Sequence, residues 1–245
     1  MPTVENRGCR IHYQVEGEGP LVVLQHGFLD NQESWKLMGY VGGLSDRFTV
    51  ATVDSLGHGA SDKPTDPERY RQEERAADIV AVIDALGADK AHLLGYSMGG
   101  WLSVGVARYH PERLRSLVVA GWDVVDGMIS AIGANRIEFE AFLAMARQAA
   151  PELAEWVTEA VERALDPCFA QLYDLEGSRE AVLELPAPVL LWNGQQDPYH
   201  DPMLKFSREH GIQFLSTGGD HVEAMMHGAP EVLPTLRRFF TAAGG

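Results

Sequence analysis

The stretch that most limits what this chain can become is Leu93-Leu94-Gly95-Tyr96-Ser97-Met98-Gly99-Gly100. An apolar run, Ala91 to Leu94, enters a Gly-x-Ser-x-Gly pentapeptide, and Trp101 to Tyr109 then reads as a helix. A strand that turns sharply into a helix strains the backbone at the turn, and only small neighbours let it close. Gly95 and Gly99 flank Ser97 at two residues on either side, and Gly100 adds clearance. The pattern predicts a serine held as an exposed nucleophile at the start of a helix. There, unpaired backbone N–H groups face any developing negative charge.

The rest of the chain supplies the sheet that such a turn needs. Cys9 to Val15 alternates like a half-buried strand, whereas Leu21 to Leu24 is a continuous apolar run, as in a parallel sheet covered on both faces, and Phe48 to Val53 reads as another buried strand. Leu114 to Ala120, Pro188 to Gly194 and Ile212 to Ser216 add further strands. Between them the spacing predicts helices over Gln32 to Leu44, Arg71 to Leu86 (with Gly87 as its C-cap), Asp201 to His210 and Pro230 to Phe240. Alternating strands and helices imply right-handed crossovers, with working residues gathered at the carboxyl ends of the strands. His26, Asp54, Ser97 and Asp123 stand just past such ends. The rhythm breaks from Trp122 to Glu184, where Glu138 to Gln148 and Ala150 to Leu165 read as amphipathic helices. The expected organisation is therefore a core of residues 1–121 and 185–245 carrying a helical cap of residues 122–184. Trp122, Phe139, Phe142 and Met145 are the expected substrate-facing residues of that cap, with Met128, Ile129, Ile132 and Trp156 in the same apolar run.

A serine hydroxyl needs a base, and imidazole titrates in the useful range. Of nine histidines, His221 follows the loop Thr217-Gly218-Gly219-Asp220 just past the last predicted strand, at the same sheet edge as Ser97. His12, His92, His110, His200, His210 and His227 fall in strands, helices or their flanks, and His26 and His58 read as loop-holding residues. The base in turn needs a carboxylate. Asp197, after a strand and a glycine and before Pro198, is favoured; Asp123, one strand earlier, competes, and Asp220 reads as a brace for its own loop. Two N–H donors for an oxyanion are expected from Met98 and Phe28, with Gly27 permitting close approach.

Together, His26-Gly27-Phe28, Asp54-Ser55-Leu56-Gly57-His58-Gly59-Ala60-Ser61, Gly95 to Gly100, Gly194-Gln195-Gln196-Asp197 and His221 resemble the α/β-hydrolase superfamily along essentially the whole chain. The resemblance implies an α/β-hydrolase fold, a mostly parallel central sheet with helices on both faces. It also implies a Ser-His-Asp triad, a two-amide oxyanion hole and a helical cap after the sixth strand. Two positions depart from the family pattern: Ser55 stands where Arg is usual, and Asp220 where Gly usually precedes the histidine.

The implied activity is hydrolysis of a small carboxylic ester or lactone through an acyl-enzyme. Alternatives on the same triad are carbon–carbon cleavage of a diketone-like substrate, with Arg136 and Arg147 as carboxylate-gripping residues, and a haloperoxidase-like perhydrolase. A binding protein without catalysis is the remaining alternative. Ser97 argues against a dehalogenase, whose nucleophile would be Asp. Charge narrows the partners: 20 Lys and Arg against 35 Asp and Glu give −15, which disfavours nucleic acid and anionic lipid. A neutral, partly apolar small molecule is expected. Cys9 and Cys168 suggest neither a disulfide framework nor a metal site, and no cofactor is expected. With no signal-peptide pattern after Met1, a cytoplasmic location is the expectation.

Overall fold

The computed structural model describes residues 2–133, 135–149 and 151–244. Its strands are β1 Thr3–Asn6, β2 Cys9–Glu16, β3 Leu21–Gln25, β4 Thr49–Val53, β5 Ala91–Tyr96, β6 Leu114–Ala120, β7 Val189–Gly194 and β8 Gln213–Thr217. They form one sheet in the order β1-β2-β4-β3-β5-β6-β7-β8. All pairings from β4 through β8 are parallel, while β1 and β2 add an antiparallel hairpin at the edge. This is the α/β-hydrolase fold.

The continuous apolar runs become the central strands because both sheet faces are covered. Along β3, Val22 and Leu24 pack with Trp35, Tyr40 and Phe240 on one face, and Leu21 and Val23 join the core of the other. The second face is covered by the helices Gln72–Ala85 and Met98–Tyr109 and by the helical insertion between β6 and β7. No helix of the described residues is long and apolar enough to cross a membrane.

Several boundaries differ from those read in the sequence. The helix expected over 32–44 is two short ones, Glu33–Leu37 and Tyr40–Leu44, because Gly39 takes a left-handed φ of 86° between them. The second helix of the insertion is likewise split, into Pro151–Ala154 and Glu159–Ala170, with the extended Thr158 (ψ 165°) just before the latter; residue 150 lies outside the described residues. The short edge strand β1 has too weak a pattern to read, and it pairs with β2 through a turn at Arg7 and Gly8. His221 is not in a free loop. It opens the helix His221–His227, which Asp220 caps by accepting from the Val222 and Glu223 amides at 2.9 Å each.

Candidate active site

Ser97 sits between β5 and the helix Met98–Tyr109 at φ 56°, ψ −118°, a left-handed backbone that a non-glycine residue adopts only when its surroundings enforce it. Here the enforcement is close packing. A Cβ on Gly95 would lie 1.9 Å from the Gly99 carbonyl oxygen, and one on Gly99 would lie 2.1 Å from the Gln25 carbonyl oxygen. The Ser97 amide donates to the Ala120 carbonyl at 2.8 Å, tying the turn to β6. The hydroxyl is thereby fixed at the carboxyl edge of the sheet.

His221 and Asp197 come to that hydroxyl from β8 and β7. Ser97 Oγ lies 3.0 Å from His221 Nε2, and His221 Nδ1 lies 2.9 Å from Asp197 Oδ2. A nitrogen facing a carboxylate carries the hydrogen, so Nδ1–H donates to Asp197 and Nε2 is left bare toward Ser97. The Asp197 side chain is wholly buried, and its other oxygen accepts from the Tyr199 amide at 3.0 Å. His221 is set in place by Tyr96 and Tyr199, whose ring centroids lie 5.4 and 5.5 Å from the imidazole. The Tyr96 hydroxyl also donates to the His221 carbonyl at 2.6 Å. Burial pushes both phenols above their ordinary value, so they stay neutral. Neither tyrosine was picked out by sequence reasoning; Tyr199, two residues after Asp197, was the nearer to legible.

Asp123 is also buried, but it does not reach His221. Its Oδ1 accepts from the Val125 and Asp126 amides at 2.8 and 3.0 Å, closing the turn after β6.

The loop after β3 lies against Ser97. A Cβ on Gly27 would come 3.3 Å from the Ser97 Cβ, a tight approach, so a side chain there would press on Ser97. His26 pins the loop, its Nδ1–H donating to the Gly27 carbonyl at 2.7 Å and its Nε2 accepting from the Ser55 amide at 3.0 Å. Burial lowers the His26 pKa, which keeps Nε2 free to accept. Asp54 braces the neighbouring turns, accepting from His12 Nδ1 at 2.7 Å and from the Gln32 and Ala60 amides at 2.9 Å each. Among the described residues, the Phe28 and Met98 amides donate to no protein acceptor. Met98 opens its helix, where the first-turn N–H groups have no partner within the helix.

Behind Met98 lies a fully buried cation. Arg75 reaches Met98 Sδ and Cys168 Sγ at 3.2 Å each and also bonds Ser55 Oγ. A guanidinium from the helix Gln72–Ala85 thus contacts residue 55, the position at which the resemblance leads one to expect an Arg.

Above the serine is a cavity of about 310 Å³. Its floor is Ser97, Met98, His221 and Phe28, and its walls include Trp122, Phe142, Tyr199, Met128, Ile132 and Phe169. Of the four residues expected to face substrate, Trp122 and Phe142 line this cavity. Met145 does not: it is 56% exposed, on the outer face of the helix Phe139–Ala149. Phe139 is buried one layer back, its ring 6.0 Å from Phe28 and 5.9 Å from Phe169. Trp156 acts as an anchor, donating to the Leu29 carbonyl at 2.9 Å. Arg136 and Arg147 are spent elsewhere, on the Tyr173 ring and on Glu162.

The comparisons with known proteins agree with this fold. The α/β hydrolase fold family matches residues 20–165. The chain belongs to that family. It is 36% identical over 113 residues to a Bacillus subtilis (strain 168) protein provisionally named 2-succinyl-6-hydroxy-2,4-cyclohexadiene-1-carboxylate synthase, covering 44% of this chain and 40% of that one. It is 33% identical over 118 residues to epoxide hydrolase 4 of Mus musculus, covering 47% of this chain and 32% of the relative. The matched stretches thus span less than half of these relatives. Among solved structures, the enol-lactonase of Burkholderia xenovorans LB400 superposes with a TM-score of 0.76 at 20% identity over 98% of this chain and 100% of that one. A thermophilic esterase from Thermogutta terrifontis gives 0.76 at 21% identity, over 100% and 99%. At these identities the likeness is one of fold.

Proposed function

We propose that this α/β hydrolase cleaves a small, neutral carboxylic ester or lactone through an acyl-enzyme on Ser97. The observation that carries the reading is the Ser97–His221–Asp197 hydrogen-bond chain on the floor of an apolar cavity, beside two free amides. Ser97 Oγ attacks the carbonyl carbon as His221 Nε2 takes its proton, and Asp197 stabilises the imidazolium. The carbonyl oxygen becomes an oxyanion, held by the Met98 and Phe28 N–H groups; each such donor is worth roughly a hundred- to thousandfold in rate. Collapse breaks the C–O bond, and His221 returns the proton to the departing alkoxide. Water, deprotonated by the same nitrogen, then attacks the acyl-enzyme, and the carboxylic acid leaves as Ser97 regains its proton.

Two observations favour this over the chemistries named for relatives. Opening an epoxide with a serine would leave an ether, which an activated water does not hydrolyse, so turnover calls for a carboxylate nucleophile. A carboxylate-bearing substrate would be desolvated in a cavity whose lining holds no Lys or Arg. The cavity is at the small end of ligand pockets, roughly 300–1,000 Å³, which suits a short or medium acyl chain.

The test is hydrolysis of p-nitrophenyl esters by wild type and Ser97→Ala, with a fluorophosphonate label located by mass spectrometry. Turnover by wild type, loss in Ser97→Ala and a label on Ser97 support the reading. An unlabelled Ser97 with intact esters overturns it.

A further inference from the structure

The catalytic hydroxyl faces two spaces, and they differ in chemistry. Besides the large cavity there is a narrow arm of about 70 Å³ that shares Ser97, Phe28, Leu153, His221 and Val222 with it. The large cavity is roofed by the insertion between β6 and β7, through Met128, Ile132, Phe142 and Phe169. The arm runs the other way, between Tyr96, Met38, Met225 and Met226 toward the surface, where Met226 is 36% exposed. Among the described residues its wall carries one carboxylate, the half-buried Asp30. Asp30 Oδ1 is engaged by the Asn31 amide at 2.8 Å and by the Ser34 hydroxyl. Among the described residues no Lys or Arg pairs with that carboxylate.

We infer that the roofed cavity holds the acyl half of the substrate and the arm holds the alcohol half, with Asp30 selecting a cationic alcohol such as a quaternary or tertiary aminoalkyl group. This rests on the serine-hydrolase reading above and specifies its substrate. The division follows from the order of events. The acyl group stays bonded to Ser97 while the alcohol departs and water enters, so the alcohol half belongs in the space that opens to solvent. His221, which must protonate the departing oxygen, lines that space. A carboxylate in the wall of that arm, with no Lys or Arg paired to it among the described residues, attracts a cation and repels an anion, and the Tyr96 ring and three thioethers add polarizable contacts to an alkylammonium. The chain's −15 charge adds to the same preference at longer range.

The experiment compares three hexanoate esters that differ only in the alcohol: choline (cationic), 3,3-dimethylbutanol (its neutral isostere) and glycolate (anionic). The readout is the ratio of kcat/KM values in each protein. At low ionic strength wild type is expected to prefer choline over the neutral isostere by about three- to tenfold, the size of one partly screened charge pair, and to prefer both over glycolate. The choline preference falls toward one in 0.5 M salt, and also in Asp30→Asn, which keeps an oxygen for Asn31 and Ser34. A wild-type ratio at or below one overturns the inference, as does a preference that survives both salt and Asp30→Asn. If no ester turns over and fluorophosphonate leaves Ser97 unmodified, the serine-hydrolase reading falls and this one with it, an outcome distinct from turnover without charge preference.

Discussion

Replacing Asp197 by Asn separates the proposed proton path from mere proximity. Asp197 Oδ1 already accepts from the Tyr199 amide, and Asn can keep that bond while turning its NH2 group toward His221. An NH2 group facing Nδ1 requires Nδ1 to accept, so the hydrogen moves to Nε2, 3.0 Å from Ser97 Oγ. The imidazole then cannot take the serine proton. The expected cost is a 10³- to 10⁴-fold fall in kcat, about 4–5.5 kcal/mol of lost transition-state stabilisation. KM should change little, because Asp197 lines neither the cavity nor the arm. Steady-state kinetics on p-nitrophenyl hexanoate read both parameters, and thermal unfolding checks that the variant is folded. Asp123→Asn is the matched control. Its Oδ1 acceptor role in the turn survives the change, and activity should stay within about threefold. A fall of less than tenfold in Asp197→Asn refutes the assignment, and a comparable fall in Asp123→Asn would move the acid to the end of β6.

Two further outcomes are expected. Phe142→Ala removes a ring from the wall of the roofed cavity, so the acyl-length optimum in a p-nitrophenyl ester series should shift to longer chains while the effect of alcohol charge is kept; an unchanged optimum would place the acyl chain elsewhere. Burial holds the His92 imidazole at about 4, below its ordinary 6.5, with Nδ1 against Ser116 Oγ at 2.8 Å. The unfolded chain binds that proton first, so the stability tied to neutral His92 is complete above pH 6.5 and lost as pH falls toward 4, by at most about 3 kcal/mol. Urea unfolding of His92→Gln should show a lower stability at pH 7 but a shallower decline between pH 6.5 and 4, and an identical slope in both proteins would refute the shift.

What the sequence determined is what local sterics and period determine. Glycines at 95 and 99 are demanded by carbonyls within about 2 Å of where a Cβ would stand, and that demand can be read directly as Gly-x-Ser-x-Gly. Apolar runs within a strand are likewise a local record of burial on both faces, so β3, β5 and β6 were legible, and with them the sheet edge where the site would form. The resemblance supplied the family and the order of the motifs.

Tertiary structure decided whatever depends on which distant surface a side chain meets. Asp123 and Asp197 are both aspartates just past a strand; only packing turns one into its own turn amides and the other onto His221. Phe142 and Met145 lie three residues apart on one amphipathic helix, yet one walls the cavity and the other is solvated. Helical period marks an apolar stripe but does not say where its edge meets the body. Asp30 is the same case in a loop: its sequence neighbours explain one oxygen, and only the fold brings it to the same narrow arm as Ser97, over sixty residues away. Contacts that close long loops have no local signature, because their energy lies in the packing that brings the two ends together.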